Sequence, residues 1–174
     1  MHIKLHKKLV PIRLVPIRYI PKFLNKKDTK KQHRELKKSR KLYKKGIYYT
    51  RKPVATFKSK PSNHITNARR IYSIENIAPS PALALKTGCS VKALKKIVSK
   101  GEGAYFSSGS RPNQTAQSWG YARLASAITG GKASAVDYSI LQSGCKKSSK
   151  ALRLASHSIH LKKHGTRRVS RVKL

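Results

Sequence analysis

The chain has 174 residues, with 41 Lys plus Arg against five Asp plus Glu, a formal charge of +36 with neutral histidines. A charge of this size repels itself in a compact state and attracts polyanions, so it implies a setting beside nucleic acid, an anionic membrane face or an acidic protein surface. The cysteines Cys89 and Cys145 form neither a disulfide framework nor a metal spacing, so reduced buried thiols are expected, and no segment approaches the roughly 18 apolar residues of a transmembrane helix.

The charge is uneven: residues 1–70 hold 23 bases and 2 acids, residues 71–145 hold 8 and 3, and residues 146–174 hold 10 and none. This divides the chain into an extended proline-repeat arm (1–25), a basic helix with an irregular linker (26–70), a compact core domain (71–145), and a basic C-terminal helix and tail (146–174). About 75 residues can form one small core.

The arm reads LVPIRLVPIRYIPKF from residue 9, a five-residue unit given twice with a loose third copy. Pro11, Pro16 and Pro21 exclude a helix and push their predecessors toward extended backbone. An extended strand cannot bury Leu9, Val10, Ile12, Leu14, Val15, Ile17 and Ile20 against itself, and its aliphatic content is high for a disordered tail. These residues are therefore expected to lie along a partner's groove. The bases and prolines also interrupt the apolar run that a secretory signal needs.

Residues 26–46 are rich in helix formers, with Leu36 and Tyr43 as sparse apolar anchors, a start capped by Asp28 or Thr29 and an end at Gly46. The surface of that helix is almost wholly basic. Residues 47–77 mix β-branched and aromatic residues with X-Pro steps and read as short extended pieces, then a short helix around 66–72.

Residues 79–101 predict two short helices with a tight turn: Pro81 in a first turn, Gly88 at an end, Ser90 as a cap and Gly101 at the next end. With Ala84 at the crossing and Leu94 and Ile97 facing inward, the spacing suits a helix-turn-helix. Lys92, Lys95 and Lys96 then lie on its outer face, available to phosphates.

In residues 101–110 the glycines predict a bent loop, or a hairpin with 104–107 as a short strand, ended by Arg111-Pro112. As an anion cradle this loop lacks the ending of a nucleotide-binding P-loop. Asn113 or Thr115 caps a helix to Thr129, where Gly130-Gly131 stop it, and Gly120 permits close approach of a neighbouring backbone. Alternation in Val136, Asp137, Tyr138, Ser139 and Ile140 predicts a strand. A helix over about 148–163 follows, with Leu152, Ala155, Ile159 and Lys162 on one side. A second extended segment then carries Arg167 and Arg168, which join Arg111 as candidate polyanion contacts.

The fold class expected is α+β: a small, mainly helical core of a helical hairpin, a further helix and short strands, with long extended basic N- and C-terminal arms. Glu102 and Asp137 are the sole acids after residue 75, which leaves no carboxylate spacing for catalysis. A cysteine with His157, His160 or His164 is a nucleophile and base on paper only. No enzyme activity, cofactor, metal or small-molecule substrate is expected.

SWGYARLASAITGGKA, with KTGCSVKALKKIVSKGEGAY, SSGSRPNQT, SRKLYKKGIYYTRK and SNHITNARRIY, resembles an uncharacterised domain family of nucleocytoplasmic large DNA viruses of eukaryotes, relatives of chlorella virus and mimivirus. The resemblance spans roughly residues 19–145. It implies a viral origin, assembly in the host cytoplasm and a place in the virion. The function expected is a minor capsid protein on the inner side of the shell, bridging capsomers. Its partners would be the major capsid protein and other minor capsid proteins, with viral DNA or an anionic inner membrane as further contacts. The alternative is a non-enzymatic nucleic-acid-binding or genome-condensing protein that uses the helix-turn-helix-like segment.

Overall fold

The computed structural model describes residues 14–160 and 170–174. Among them are eight α-helices and one two-stranded sheet: β1 (Leu14–Pro16), α1 (Lys26–Tyr43), α2 (Asn63–Tyr72), α3 (Pro81–Thr87), α4 (Val91–Ser107), α5 (Ala116–Ile128), α6 (Lys132–Val136), α7 (Tyr138–Gly144), α8 (Lys150–His160) and β2 (Arg171–Lys173). The strands pair antiparallel with Val15 opposite Val172. The domain is thus mainly helical. The strands expected at 104–107 and 136–140 are helical, and the sheet joins two segments that were expected to be separate arms.

The main core lies between α2, α4, α5, α7 and α8, where Leu94, Ile97, Leu124, Ile128 and Leu141 are fully buried. Ser90 caps α4 by accepting a hydrogen bond from the Ala93 amide at 3.2 Å. Gly88 ends α3 with φ +72°, where its left-handed backbone suits glycine. Both ends fall where the sequence puts them. Thr115 likewise caps α5, in a reciprocal box with Ser118.

Gly101 behaves differently from the expectation. It does not end α4, which runs on to Ser107. A Cβ at Gly101 would meet the Gly120 Cα at 2.6 Å, and one at Gly120 would meet the Val98 carbonyl oxygen at 2.9 Å. The two glycines face each other where α4 and α5 cross. A mid-helix glycine costs about 1 kcal/mol, and here the close contact of two backbones offsets it.

The strand expected at 136–140 fails for an electrostatic reason. Alternation would have placed Val136 inside and Asp137 outside, yet Val136 is 64% exposed and Asp137 is fully buried. Arg123 holds the Asp137 carboxylate with two hydrogen bonds, at 2.7 and 2.8 Å, and Lys100 adds an ion pair at 2.9 Å. Pairing an acid from the α6–α7 junction with bases on α4 and α5 decides the local backbone.

Cys89 and Cys145 form a disulfide that closes 56 residues of sequence separation, in place of the expected thiols. They face each other in an isolated antiparallel bridge, flanked by Ser90 N–H to Gly144 C=O at 2.7 Å and Lys146 N–H to Gly88 C=O at 2.9 Å. The turn before α4 and the turn after α7 meet only in the tertiary fold, so sequence spacing carried no sign of the pair.

α1 lies outside this core. Asn25 caps it, not Asp28 or Thr29, and it ends at Tyr43, before Gly46. Its inner side meets a second, smaller cluster of Val15, Tyr19, Ile20 and Leu36, with Trp119, Val172 and Leu174 packed against it. The cover for the proline-rich segment is therefore, from residue 15 on, the chain itself. α8 is described over Lys150–His160, beginning two residues later than expected, with Ala155 buried and Ile159 exposed; the expected continuation to residue 163, with Lys162, lies outside the described residues.

Candidate nucleic-acid interface

α1 alternates two chemistries at helical spacing. Asp28, Gln32, Glu35, Leu36 and Ser39 are buried, while Lys27, Lys30, Arg34, Lys37 and Lys41 repeat at intervals of three and four on the exposed side. Residues so spaced share one helix face, so the exposed bases form a continuous stripe. At 1.5 Å per residue the stripe's helix is about 27 Å long.

Both acids of α1 serve as internal pins. Asp28 accepts from the amide and the hydroxyl of Thr56, both at 2.7 Å, and these bonds hold its carboxyl below the usual carboxylate range. One Glu35 oxygen accepts from the Tyr49 hydroxyl and the Lys52 amide, both at 2.9 Å. Burial and then the Glu35 contact push the Tyr49 hydroxyl pKa up. Gln32 donates to the Tyr19 carbonyl at 2.9 Å, which fixes the turn after β1.

A buried arginine completes the seam. Arg51 donates to the Ser39 hydroxyl, the Tyr105 carbonyl and the Ser110 hydroxyl, and its guanidinium lies 3.6 Å from the centre of the Tyr105 ring. Burial pushes its pKa down from the ordinary arginine value. It joins α1, the following loop and α4 through neutral partners, and leaves the acids to other donors.

The consequence is a sorted charge distribution. Of the five acids, Asp28, Glu35 and Asp137 are inside. Glu75 is exposed and 3.7 Å from Arg69, and Glu102 is half-buried. The outward side of α1 thus presents bases with no acid of its own helix among them. Helix formation by so cationic a segment is opposed by self-repulsion, and the buried polar pins resist that repulsion.

The residues singled out in the sequence fall in several places. Lys92, Lys95 and Lys96 are exposed on α4, and Arg111 is exposed beyond its end. Loss of hydration, then the charges of Arg111 and Arg18, push the His64 imidazole pKa down. Val15 and Ile20 are buried within the domain, Ile17 is half-buried with its amide donating to the Ser170 carbonyl at 2.8 Å, and Leu14 is exposed. Leu9, Val10, Ile12, Arg167 and Arg168 lie outside the described residues.

No cluster of metal-ligating side chains occurs among the described residues, and both cysteines are in the disulfide. No helix among them is long and apolar enough to cross a membrane. Sequence reasoning did not anticipate the aromatic side chains at the two ends of α1. Phe23 and Tyr48 are each 70% exposed. The adjacency of Tyr48 to Lys44, Lys45 and Gly46 was a visible signal.

Fold and surface together define a small basic helical domain with a cationic helix pinned to its outside. Residues 16–147 match the family described as "Family of unknown function (DUF5824)", and the chain belongs to that family. No curated protein and no solved structure matches it.

Proposed function

We propose that this chain is a non-enzymatic nucleic-acid-binding protein that holds phosphate backbones along the exposed stripe of α1. The observation that carries the reading is the sorting of charge: the acids of α1 are consumed inside the fold, and the bases are left outside at helical spacing. Lys92, Lys95 and Lys96 on α4 and Arg111 supply further cationic surface. The resemblance to a domain of large DNA viruses suits a genome-associated protein of the particle, assembled in the host cytoplasm.

A second reading keeps the chain under the capsid shell, as a minor capsid protein contacting the major capsid protein or other minor capsid proteins. Leu14 favours it, because this aliphatic residue is exposed at the start of β1, directly after the first LVPIR unit. The inner-membrane surface is a further anionic partner in that setting.

The deciding experiment measures binding of the full chain to DNA against salt concentration. Each neutralised phosphate adds about 0.9 to the slope of log affinity against log salt. Glutamine at Lys27, Lys30, Arg34, Lys37 and Lys41 is expected to reduce that slope by about 4.5 if all five contact phosphate. An unchanged slope sinks the α1 reading. Retention of the protein with capsid shells at about 1 M salt, where the Debye length is roughly 3 Å, favours the shell.

A further inference from the structure

We infer that the exposed aromatic side chains at the ends of α1 are stacking platforms for unpaired bases, so that the stripe takes single-stranded nucleic acid in preference to duplex. The inference rests on the nucleic-acid reading above and names its substrate class.

Phe23 and Tyr48 are unusual among large aromatic residues in being 70% exposed, and each is oriented by aromatic neighbours. Phe23 stacks on Phe57 with ring centres 5.9 Å apart and planes 14° from parallel. With one face on Phe57 and most of the residue exposed, its other face is open. Tyr48 stands edge-on to Phe106 at 5.1 Å and to Tyr43 at 5.9 Å, inclined by about the same angle to both. Rings fixed by such contacts lose little further freedom on stacking with a base.

Their placement matters as much as their exposure. Phe23 precedes the N-cap of α1, and Tyr48 follows its last turn and returns onto Tyr43, with the Ile47 amide donating to the Leu42 carbonyl at 3.0 Å. In the sequence, Lys27 to Lys41 lie between them. A cationic track for the backbone, bounded by aromatic faces for the bases, is the combination by which single strands are held without sequence preference. A duplex keeps its bases stacked on one another and offers these rings nothing. An anionic membrane surface would call for a continuous apolar face, whereas here about 27 Å of cationic helix separates the two aromatic sites.

The test uses the full chain, a fluorescein-labelled oligothymidine of 20 nucleotides, a duplex of equal length, and vesicles of phosphatidylserine and phosphatidylcholine. Stacking is worth roughly 5- to 150-fold in affinity per base. Tyr48→Ala and Phe23→Ala are each expected to weaken single-strand binding about tenfold, within that range, and to leave duplex binding essentially unchanged. Trp119→Phe with Tyr48→Trp leaves one tryptophan, at the platform, whose emission is expected to be quenched by the single strand.

Unchanged single-strand affinity in both alanine variants, or an unquenched Trp at position 48, overturns the platforms while leaving the charge stripe standing. Binding to vesicles alone, with neither form of DNA bound at low salt, overturns the nucleic-acid reading itself. Far-UV circular dichroism of each variant guards against loss of fold.

Discussion

The seam beneath α1 and the crossing of α4 with α5 attach helices to the same domain by opposite means. At the crossing, two glycines let backbones touch beside Val98 and the side-chain stems of Arg123 and Glu102, and the same helices bury Leu94, Ile97 and Leu124 in the aliphatic core. Under α1, a small apolar cluster around Leu36 is supplemented by buried Asp28, Gln32, Glu35, Ser39 and Arg51. Apolar packing depends little on salt or pH, whereas carboxylate pins depend on their ionisation. The core is thus mostly aliphatic, with the Asp137 carboxylate pinned between Arg123 and Lys100 as an ionic contact, whereas the layer that carries the proposed binding surface is held largely by polar contacts that respond to solution conditions.

The contrast is broken most severely at the crossing. Gly120→Val forces a side chain against the Val98 carbonyl and is expected to destabilise the whole domain by more than about 4 kcal/mol, read as loss of the cooperative denaturant transition. Reduction of the Cys89–Cys145 disulfide comes next. The loop it closes corresponds to roughly 4 kcal/mol of chain entropy in the unfolded state. The denaturant midpoint should fall with reductant and stay put in a Cys89→Ala, Cys145→Ala double variant treated the same way.

Glu35→Ala tests the seam alone. It leaves the Tyr49 hydroxyl and the Lys52 amide without their acceptor, a loss of about 1–3 kcal/mol. Hydrogen exchange is expected to quicken in α1 and in residues 47–56 while α4 and α5 stay protected. Equal quickening throughout would mean that the two regions unfold as one.

Acid should sharpen the same difference. The folded-state pKa of Asp28 lies below its ordinary value, so its contribution is present above about pH 4 and is lost as pH falls through the lowered folded value. Trp119 packs against Tyr19, with ring centres 5.9 Å apart, and reports on the seam. Its fluorescence should change at a higher pH than far-UV circular dichroism, and Asp28→Asn should diminish the separation. The smallest effect is expected on the surface: Lys92→Gln with Lys95→Gln should alter stability by no more than about 0.5 kcal/mol, measured by thermal unfolding.

Local signals were readable where they depend on a few neighbouring residues. Gly88, Ser90 and Thr115 mark helix ends because a left-handed turn or a short hydroxyl cap is specified within three or four positions. The basic character of α1 was equally plain. Gly101 misled because the residue type that ends a helix also permits close helix crossing, and only Gly120 on a neighbouring helix distinguishes the two. The alternation over 136–140 misled because it treated Asp137 as solvent-facing, without knowing that Arg123 and Lys100 converge on it.

The proline-rich segment gives a similar lesson. Its prolines excluded a helix, and residues 14–16 are indeed extended. The inference that a partner must cover its aliphatic residues overlooked α1, Trp119 and the C-terminal strand, which cover Val15 and Ile20. Apolar content says that a side chain needs cover and is silent on which surface supplies it.

By itself the sequence determined a strongly cationic protein with a mainly helical core and several helix ends set by glycine, proline and hydroxyl residues, because charge and local backbone preference act within a few residues. The tertiary structure decided which acids vanish into the interior, which glycines cross, which cysteines meet and which aromatic rings stay exposed. Each of these depends on residues a dozen or more positions apart being brought within a few ångströms, and no local pattern encodes that proximity.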